Sequence, residues 1–362
     1  MPHFNTLCAF LQNSHRNLSA NEAKQLSELS HRAFQKAKKE FAMPLKRLIR
    51  LSQKRPLRLI LDYVLIGRTC KFITFPFNLT YNPTTQRFQP TLFLLFAIAE
   101  LDGELYPLQM DFWANEDWEP DDGLYLTKND VAKSMITGLV EQGLEFYEVL
   151  FDAGFPSEQL LNELDDLEIP YVCRIKSSWK IVSYGLKRSA KEMFSKKRQF
   201  YFDRHENCFL FARIGKFGDH KVKLVAVANS REKLLNRQFY CLLTNRTELN
   251  HTQVLRHYQK RGKIEWFFKV MKSYLGLTAF FRHHPDDALI PHFHLRCAVF
   301  VLLQSYALNT SVSLFQALKR LKKMTWNELQ HALERHWREW SESLTICTKS
   351  NSETAQTQAM LL

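Results

Sequence analysis

The chain has no CxxC pair, no Gly-rich phosphate loop, no internal repeat and no apolar run longer than about eight residues. Each absence removes a class of protein. The seven cysteines (Cys8, Cys70, Cys173, Cys208, Cys241, Cys297 and Cys347) are odd in number and scattered. That pattern excludes a disulfide framework and a thiolate zinc site, and it points to a reducing compartment. The longest apolar run, Leu92 to Ala99, is too short to span a bilayer. The opening MPHFNTLCAF lacks the basic region and long apolar core of a signal peptide, so a cytoplasmic location with no membrane partner is expected. Without a Gly-rich phosphate loop, ATP-driven chemistry is disfavoured.

What is present is length, apolar content and positive charge. The 362 residues suffice for two or three domains or one elaborated domain, and 45% are hydrophobic, enough for a sizeable core. The formal net charge is +13, which favours a polyanionic partner such as nucleic acid.

Residues 1–50 read as a basic helical region. Ser19 and Glu22 form a candidate capping box, and Lys36, Lys38, Lys39, Lys46, Arg47 and Arg50 cluster towards its end. A DNA-contacting module and a solvated lead-in both fit this segment, and no helix-turn-helix signature stands out. Strands are expected at Leu57–Asp62, Thr91–Ala99 and Leu105–Trp113, the last two joined by a hairpin at Asp102-Gly103. A helix over Asp130–Gln142 leads to a strand at Glu145–Phe151, followed by Asp152 and a helix capped by Ser157. An antiparallel β block is expected over about 171–235, then a strand at Arg237–Thr244 and a long helix. Helices follow to residue 340. Residues 341–362 form a polar tail expected to be disordered. The alternation of strands and helices implies a mixed α/β sheet.

The most informative segment is HYQKRGKIEWFFKVMKSYLGL, which carries Tyr258, Arg261, Glu265 and Lys272 at spacings of three, four and seven. On one helix these fall within an arc of about 60°. Ile264, Phe267, Phe268, Met271 and Leu275 occupy the neighbouring arc and can bury the helix. A phenol, a guanidinium, a carboxylate and an ammonium on one face suit a phosphodiester held against a metal. The same charges also fit an ordinary solvated helix face.

The Y-x2-R-x3-E-x6-K pattern resembles the signature of the DDE-type transposases of bacterial insertion sequences, in the family numbered four. The resemblance implies a ribonuclease-H-like catalytic core over 51–305, interrupted by a β insertion, with C-terminal helices over 306–340. It implies that Glu265 is the third of three catalytic carboxylates and that Tyr258, Arg261 and Lys272 handle phosphate near the cut. Two further acids are then required on strand ends, because two-metal phosphoryl transfer needs carboxylates converging from separate elements. Asp62 (LILDYVLIGR) and Asp152 (VLFDAGF) are the candidates, with Asp102 and Asp111 as competitors for the first position. Tyr63 follows Asp62, where the family commonly carries Thr. Asp165 and Asp166 read as surface charges at a helix end.

The resemblance further implies Mg2+ as cofactor (two ions, Mn2+ able to substitute), held by Asp62, Asp152 and Glu265. It implies double-stranded DNA at terminal inverted repeats and target DNA as partners, a homodimer on DNA, and cut-and-paste transposition through a hairpin intermediate. A metal-dependent nuclease of the same fold and a decayed copy that only binds DNA are the alternatives. Two weaker features remain. His283, His284, His292 and His294 with Asp286 and Asp287 fit no strong ligand template. Trp179 and Tyr184 interleaved with Lys187, Arg188, Lys196, Lys197 and Arg198 suit either stacking on an unpaired base or core packing.

Overall fold

The structure is a computed structural model that describes residues 8, 48–49, 52–55, 57–67, 77–82, 86–113, 127–196, 199–278 and 289–334. The basic N-terminal region (apart from three residues), the polar tail, and His283, His284, Asp286 and Asp287 lie outside the described residues, as do the side chains of His292 and His294.

Twelve strands among the described residues form one sheet. β1 (Leu57–Gly67) pairs antiparallel with β3 (Arg87–Leu101), and β3 pairs antiparallel with β4 (Glu104–Trp113). On its other side β1 pairs parallel with β5 (Phe146–Phe151), which pairs parallel with β6 (Tyr171–Ile175). The helices α1 (Lys128–Glu141) and α2 (Glu158–Asp166) make the two crossovers. The order β4-β3-β1-β5-β6, with one antiparallel meander and two parallel strands, is compatible with a ribonuclease-H-like sheet. β2 (Phe77–Asn82) pairs with the first half of β3 and was not evident in the sequence.

The turn between β3 and β4 is the expected Asp102-Gly103 hairpin, with both residues at positive φ (50° and 95°). Asp and Gly are the residue types that tolerate that conformation. α1 is closed by a capping box in which Thr127 and Asp130 satisfy each other's backbone N–H groups.

The antiparallel extension starts one strand later than its expected boundary. Tyr171–Ile175 is buried apart from Arg174 and pairs parallel with β5, so it belongs to the central sheet. The antiparallel part runs from β7 (Lys180–Ser183) and β8 (Leu186–Ser189) through β9 (Tyr201–Asp203), β10 (Cys208–Phe217) and β11 (His220–Ala228) to β12 (Tyr240–Thr244). The short helices α3 (Ala190–Met193) and α4 (Arg231–Leu235) interrupt it. β12 returns antiparallel onto β6 and thereby joins the extension to the central sheet. Asn245, just past β12, locks the join: its side chain accepts from the Tyr171 N–H (3.0 Å) and donates to Asp165 (2.8 Å). Asp165 also pairs with His220 at 3.0 Å, so it ties elements together and is not the surface charge expected from its place at a helix end.

Side chains alternate between two apolar layers, as a pleated sheet requires. Ile60, Val64, Phe96 and Leu150 face one layer. That layer is covered by α6 (Gly262–Ser273), α7 (Leu289–Asn309) and α8 (Leu314–Leu321), through residues including Phe267, Phe300 and Leu318. Leu59, Leu61, Leu95, Val149 and Phe151 face the other layer, covered by α1 and α2 through Val131, Met135, Leu160 and Leu164. Among the described residues no single helix is long and apolar enough to cross a membrane.

One charged cluster is sealed within the first layer. Glu148 is fully buried, paired with Arg58 and with His257 Nδ1 at 2.7 Å. Arg58 also holds Glu100, which Lys263 approaches from α6. Burial alone would raise the Glu148 pKa. The His257 hydrogen bond and the Arg58 charge outweigh it and hold the carboxyl below its usual range. A depressed folded pKa adds stability that is present above the unfolded value and is lost as pH falls through the folded one. Glu148→Ala, which leaves Arg58 and His257 facing a void, is expected to cost about 3–5 kcal/mol by urea denaturation at pH 7. The gap from wild type should narrow below pH 4.5.

Candidate active site

The parallel register places the first two acids. Arg58, Leu59 and Ile60 of β1 pair with Glu148, Val149 and Leu150 of β5, a constant offset of 90 (58↔148, 60↔150). Carried two residues further, the same offset sets Asp62 level with Asp152. Along this face the strand pair therefore presents an ion pair (Arg58–Glu148), an apolar pair (Ile60–Leu150) and then two acids. β5 ends at Phe151, so the acids stand where the parallel pairing of β1 and β5 opens, Asp152 just past the carboxyl end of β5.

β1 does not end at Asp62, as the acid after an apolar run had suggested. It continues to Gly67 because Tyr63–Gly67 keep their antiparallel pairing with β3. Asp62 is consequently a buried mid-strand carboxylate, 7% exposed. Its Oδ1 accepts from the Tyr63 N–H at 2.9 Å. The competitors are separated by position. Asp111 is level with Leu95, which is level with Tyr63, and so projects from the opposite face to Asp62. Asp102 occupies the hairpin turn and pairs with Arg55.

The expected single helix carrying Tyr258, Arg261, Glu265 and Lys272 is two. α5 (His251–Gln259) and α6 are joined through Lys260 and Arg261, where the N–H groups of Lys260, Arg261, Lys263 and Ile264 bond three residues back. This is a 3₁₀-type tightening beside Gly262, the residue in the segment with the weakest helix preference. Tyr258 therefore sits on α5, Arg261 at the junction, and Glu265 and Lys272 on α6.

The junction carries Arg261 into the strand-end crevice. Its Nη2 lies 2.6 Å from Asp62 Oδ2 and 3.8 Å from Asp152 Oδ2, while Nη1 donates to Glu265 at 2.9 Å. The three acids thus converge on one guanidinium. The sequence reading had set Arg261 against phosphate; here it contacts the carboxylates, because three anions without a counter-cation attract the nearest positive group. Burial opposes the Arg261 charge, but Asp62, Tyr258 and Asp152 outweigh it and raise its pKa. Asp62 behaves oppositely. Burial is the largest influence and pushes its carboxyl up to about 6, against the lowering effect of Arg261.

Tyr258 is half-buried near Arg261 and Asp152, and burial pushes its phenol up to about 12, so it remains a hydrogen-bond donor at neutral pH. Burial lowers the Lys272 pKa while Asp62 pulls it back, and its ammonium lies 5.8 Å from the Phe268 ring. Trp179 is accounted for by packing: it stacks on Phe217 at 4.7 Å and 11°. Tyr184 sits at the β7–β8 hairpin tip, 92% exposed.

Asp62, Asp152 and Glu265 supply the hard oxygen donors that a divalent cation takes. Among the described residues, however, no three acidic, His or Cys side chains are close enough to form a ready cation site, because Arg261 stands between Glu265 and the aspartates. The donor chemistry fits a cation; occupancy requires the guanidinium to leave.

One residue near the acids was missed. Lys128, at the start of α1, lies 4.8 Å from the Tyr63 ring and 4.7 Å from the Phe155 ring, and it interacts with Asp152 and Asp62. No spacing rule connects it to the four-residue motif, since it arrives from the other layer of the fold.

Residues 129–290 match the family model described as "Transposase DDE domain", which spans under half of the chain. The match includes Asp152, Tyr258, Arg261, Glu265 and Lys272 but not Asp62. A comparison with the curated proteins finds no match. Among solved structures the chain is matched to the crystal structure of the NurA nuclease from Sulfolobus solfataricus, at 8% identity over 81% of this chain and 98% of that one, with a TM-score of 0.26. A superposition that loose carries no functional argument.

Asp62 is ionised at neutral pH at a cost, since its folded pKa of about 6 stands above the ordinary 3.8. The folded state therefore binds more protons than the unfolded state between these values, and stability falls as pH rises through them. Asp62→Asn is expected to stabilise the cation-free protein by about 1–3 kcal/mol at pH 8. The gain should fade towards pH 4. Thermal unfolding in EDTA at both pH values checks this.

Proposed function

We propose that the chain is a DDE-type transposase of a bacterial insertion sequence, cutting DNA at the element's inverted-repeat ends and joining those ends to target DNA. The observation that carries the reading is the convergence of Asp62, Asp152 and Glu265 on Arg261 at the open end of two parallel strands. Three carboxylates from three elements around one exchangeable cation have no structural purpose that one ion pair would not serve. The match of residues 129–290 to a transposase domain supports the same reading.

In this reading Arg261 changes partner. A DNA phosphate entering the crevice competes for the guanidinium, whose planar fork suits two phosphate oxygens. Transfer of Arg261 to phosphate frees Asp62, Asp152 and Glu265 together. They would then hold divalent cations, two Mg2+ ions or Mn2+ in their place, which when bound activate the attacking hydroxyl and stabilise the leaving oxygen. Tyr258, kept protonated, donates to the phosphate from α5. Lys272, exposed on α6 and drawn by Asp62, adds positive charge there. Two ends must be brought together for joining, so the DNA-bound form is a homodimer. A hairpin intermediate at the cut ends belongs to this proposal too.

The test is cleavage of DNA carrying the sequences that flank the coding region, with Mg2+ or Mn2+. Wild type should nick at the element end, and Glu265→Gln, Asp62→Asn and Asp152→Asn should each lose at least about 10³-fold in rate, the scale on which essential catalytic groups act. Transfer of the new 3′-end into a second duplex separates a transposase from a nuclease. Equal cleavage by wild type and all three variants would sink the assignment.

A further inference from the structure

The crevice has a second cationic wall. Arg261 comes from the helical layer on one face of the sheet; Lys128 comes from the layer on the other. Its position is costly. It is the first residue of α1, where the helix dipole disfavours a positive charge, and it is only partly exposed. The fold of α1 needs no cation there, because Thr127 and Asp130 already complete the cap.

Three rings hold the ammonium in place. Tyr63 and Phe155 lie at 4.8 and 4.7 Å, and Trp113 at 5.7 Å. Aromatic faces attract a cation without neutralising it, so the charge remains available to an anion. The ammonium and Asp152 border one space: a Cβ built on Gly154 would come within 3.0 Å of Lys128 Nζ and 3.1 Å of Asp152 Oδ1. Lys128 and Asp152 therefore share the space that the glycine leaves open. Beyond them the positive charge continues. Phe151 pairs with Cys173, so one residue further Arg174 is level with Asp152 on the Arg261 face, its guanidinium 5.0 Å from the Tyr240 ring, and Lys176 follows just past β6. Both are exposed, and Lys128 and Lys176 are near enough to feel each other's charge.

We propose that Lys128 binds a DNA backbone phosphate beside the scissile one, on the side of Asp152 opposite Arg261, with Lys176 carrying the strand onward towards the antiparallel extension. This rests on the crevice being the DNA-cleaving site. Lys128 and Arg261 then grip the strand from the two faces of the sheet, and the acids lie between them.

The test uses the full chain and a fluorescent duplex carrying the flanking DNA, with Ca2+ to permit binding without cleavage. Binding is measured from low to moderate salt for wild type, Lys128→Met and Lys128→Arg. Met fills the ring cage without the charge. Lys128→Met should weaken binding about tenfold at low salt and flatten the plot of log affinity against log salt by about one unit, the signature of one lost phosphate contact. Lys128→Arg should restore the slope, which a merely structural role would not predict. A Lys128→Met protein with wild-type melting temperature and wild-type slope overturns the proposal. Should wild type fail to cleave in Mg2+ while the slope still responds to Lys128, the phosphate contact stands and the transposase reading falls.

Discussion

Arg261 contacts Asp62 and Glu265 directly and lies 3.8 Å from Asp152, so one guanidinium is shared by carboxylates delivered by β1, by the end of β5 and by α6. The rest of the crevice is arranged around that contact. Two acids level with each other on adjacent parallel strands, about 5 Å apart, repel by about 3 kcal/mol at an effective dielectric of 20. Without a cation between them, Asp62 would not remain charged in a buried position. The 3₁₀-type junction between α5 and α6 is what lets Arg261 reach them, and it divides Tyr258 from Glu265 and Lys272 in the same stroke.

The sheet supplies the geometry and the two helical layers supply the charges. Every second pair along β1 and β5 faces the α6 layer, and the first of these, Arg58–Glu148, is internally neutral. The acid pair two steps on is not, and its counter-charge is borrowed from the helix above. That asymmetry separates a structural ion pair from a site. Glu148 has its charge satisfied by fixed partners on β1 and α5. Asp62 has one satisfied by a side chain long enough to move, and its pKa remains above the ordinary value even so. From the other layer Lys128 adds a cation that rings hold but do not neutralise.

Much of this was legible in the chain. The strand-turn-strand at Asp102-Gly103, the body of helix α1 and the acid after VLF follow from local rules of turn, periodicity and burial, whereas the N-cap of α1 is Thr127 and not the expected Asp130. The separation of Asp62 and Asp152 equals the register offset of their strands, yet the sequence contains the number without revealing that it is a register. Three features were not legible for physical reasons. The continuation of β1 past Asp62 depends on pairing with β3, a tertiary contact that overrides the rule that an acid closes an apolar strand. The break at Lys260–Arg261 is weakly signalled by Gly262 alone, and periodicity runs straight through it. The place of Arg261 depends on the net charge of three residues distant in sequence, and helix-face geometry cannot report it. Lys128 belongs to the same class: its importance lies in what surrounds it.

The central claim is that Arg261 holds the place of a cation in the DNA-free protein. The most direct measurement is Mn2+ titration followed by electron paramagnetic resonance, comparing wild type with Arg261→Met in the absence of DNA. Removing the guanidinium leaves Asp62, Asp152 and Glu265 without their counter-charge, so the variant should bind Mn2+ about tenfold or more tightly, a difference of about 1.4 kcal/mol. Equal or weaker Mn2+ binding by a folded Arg261→Met protein would contradict the account, because the three acids would then not be competing partners of one cation.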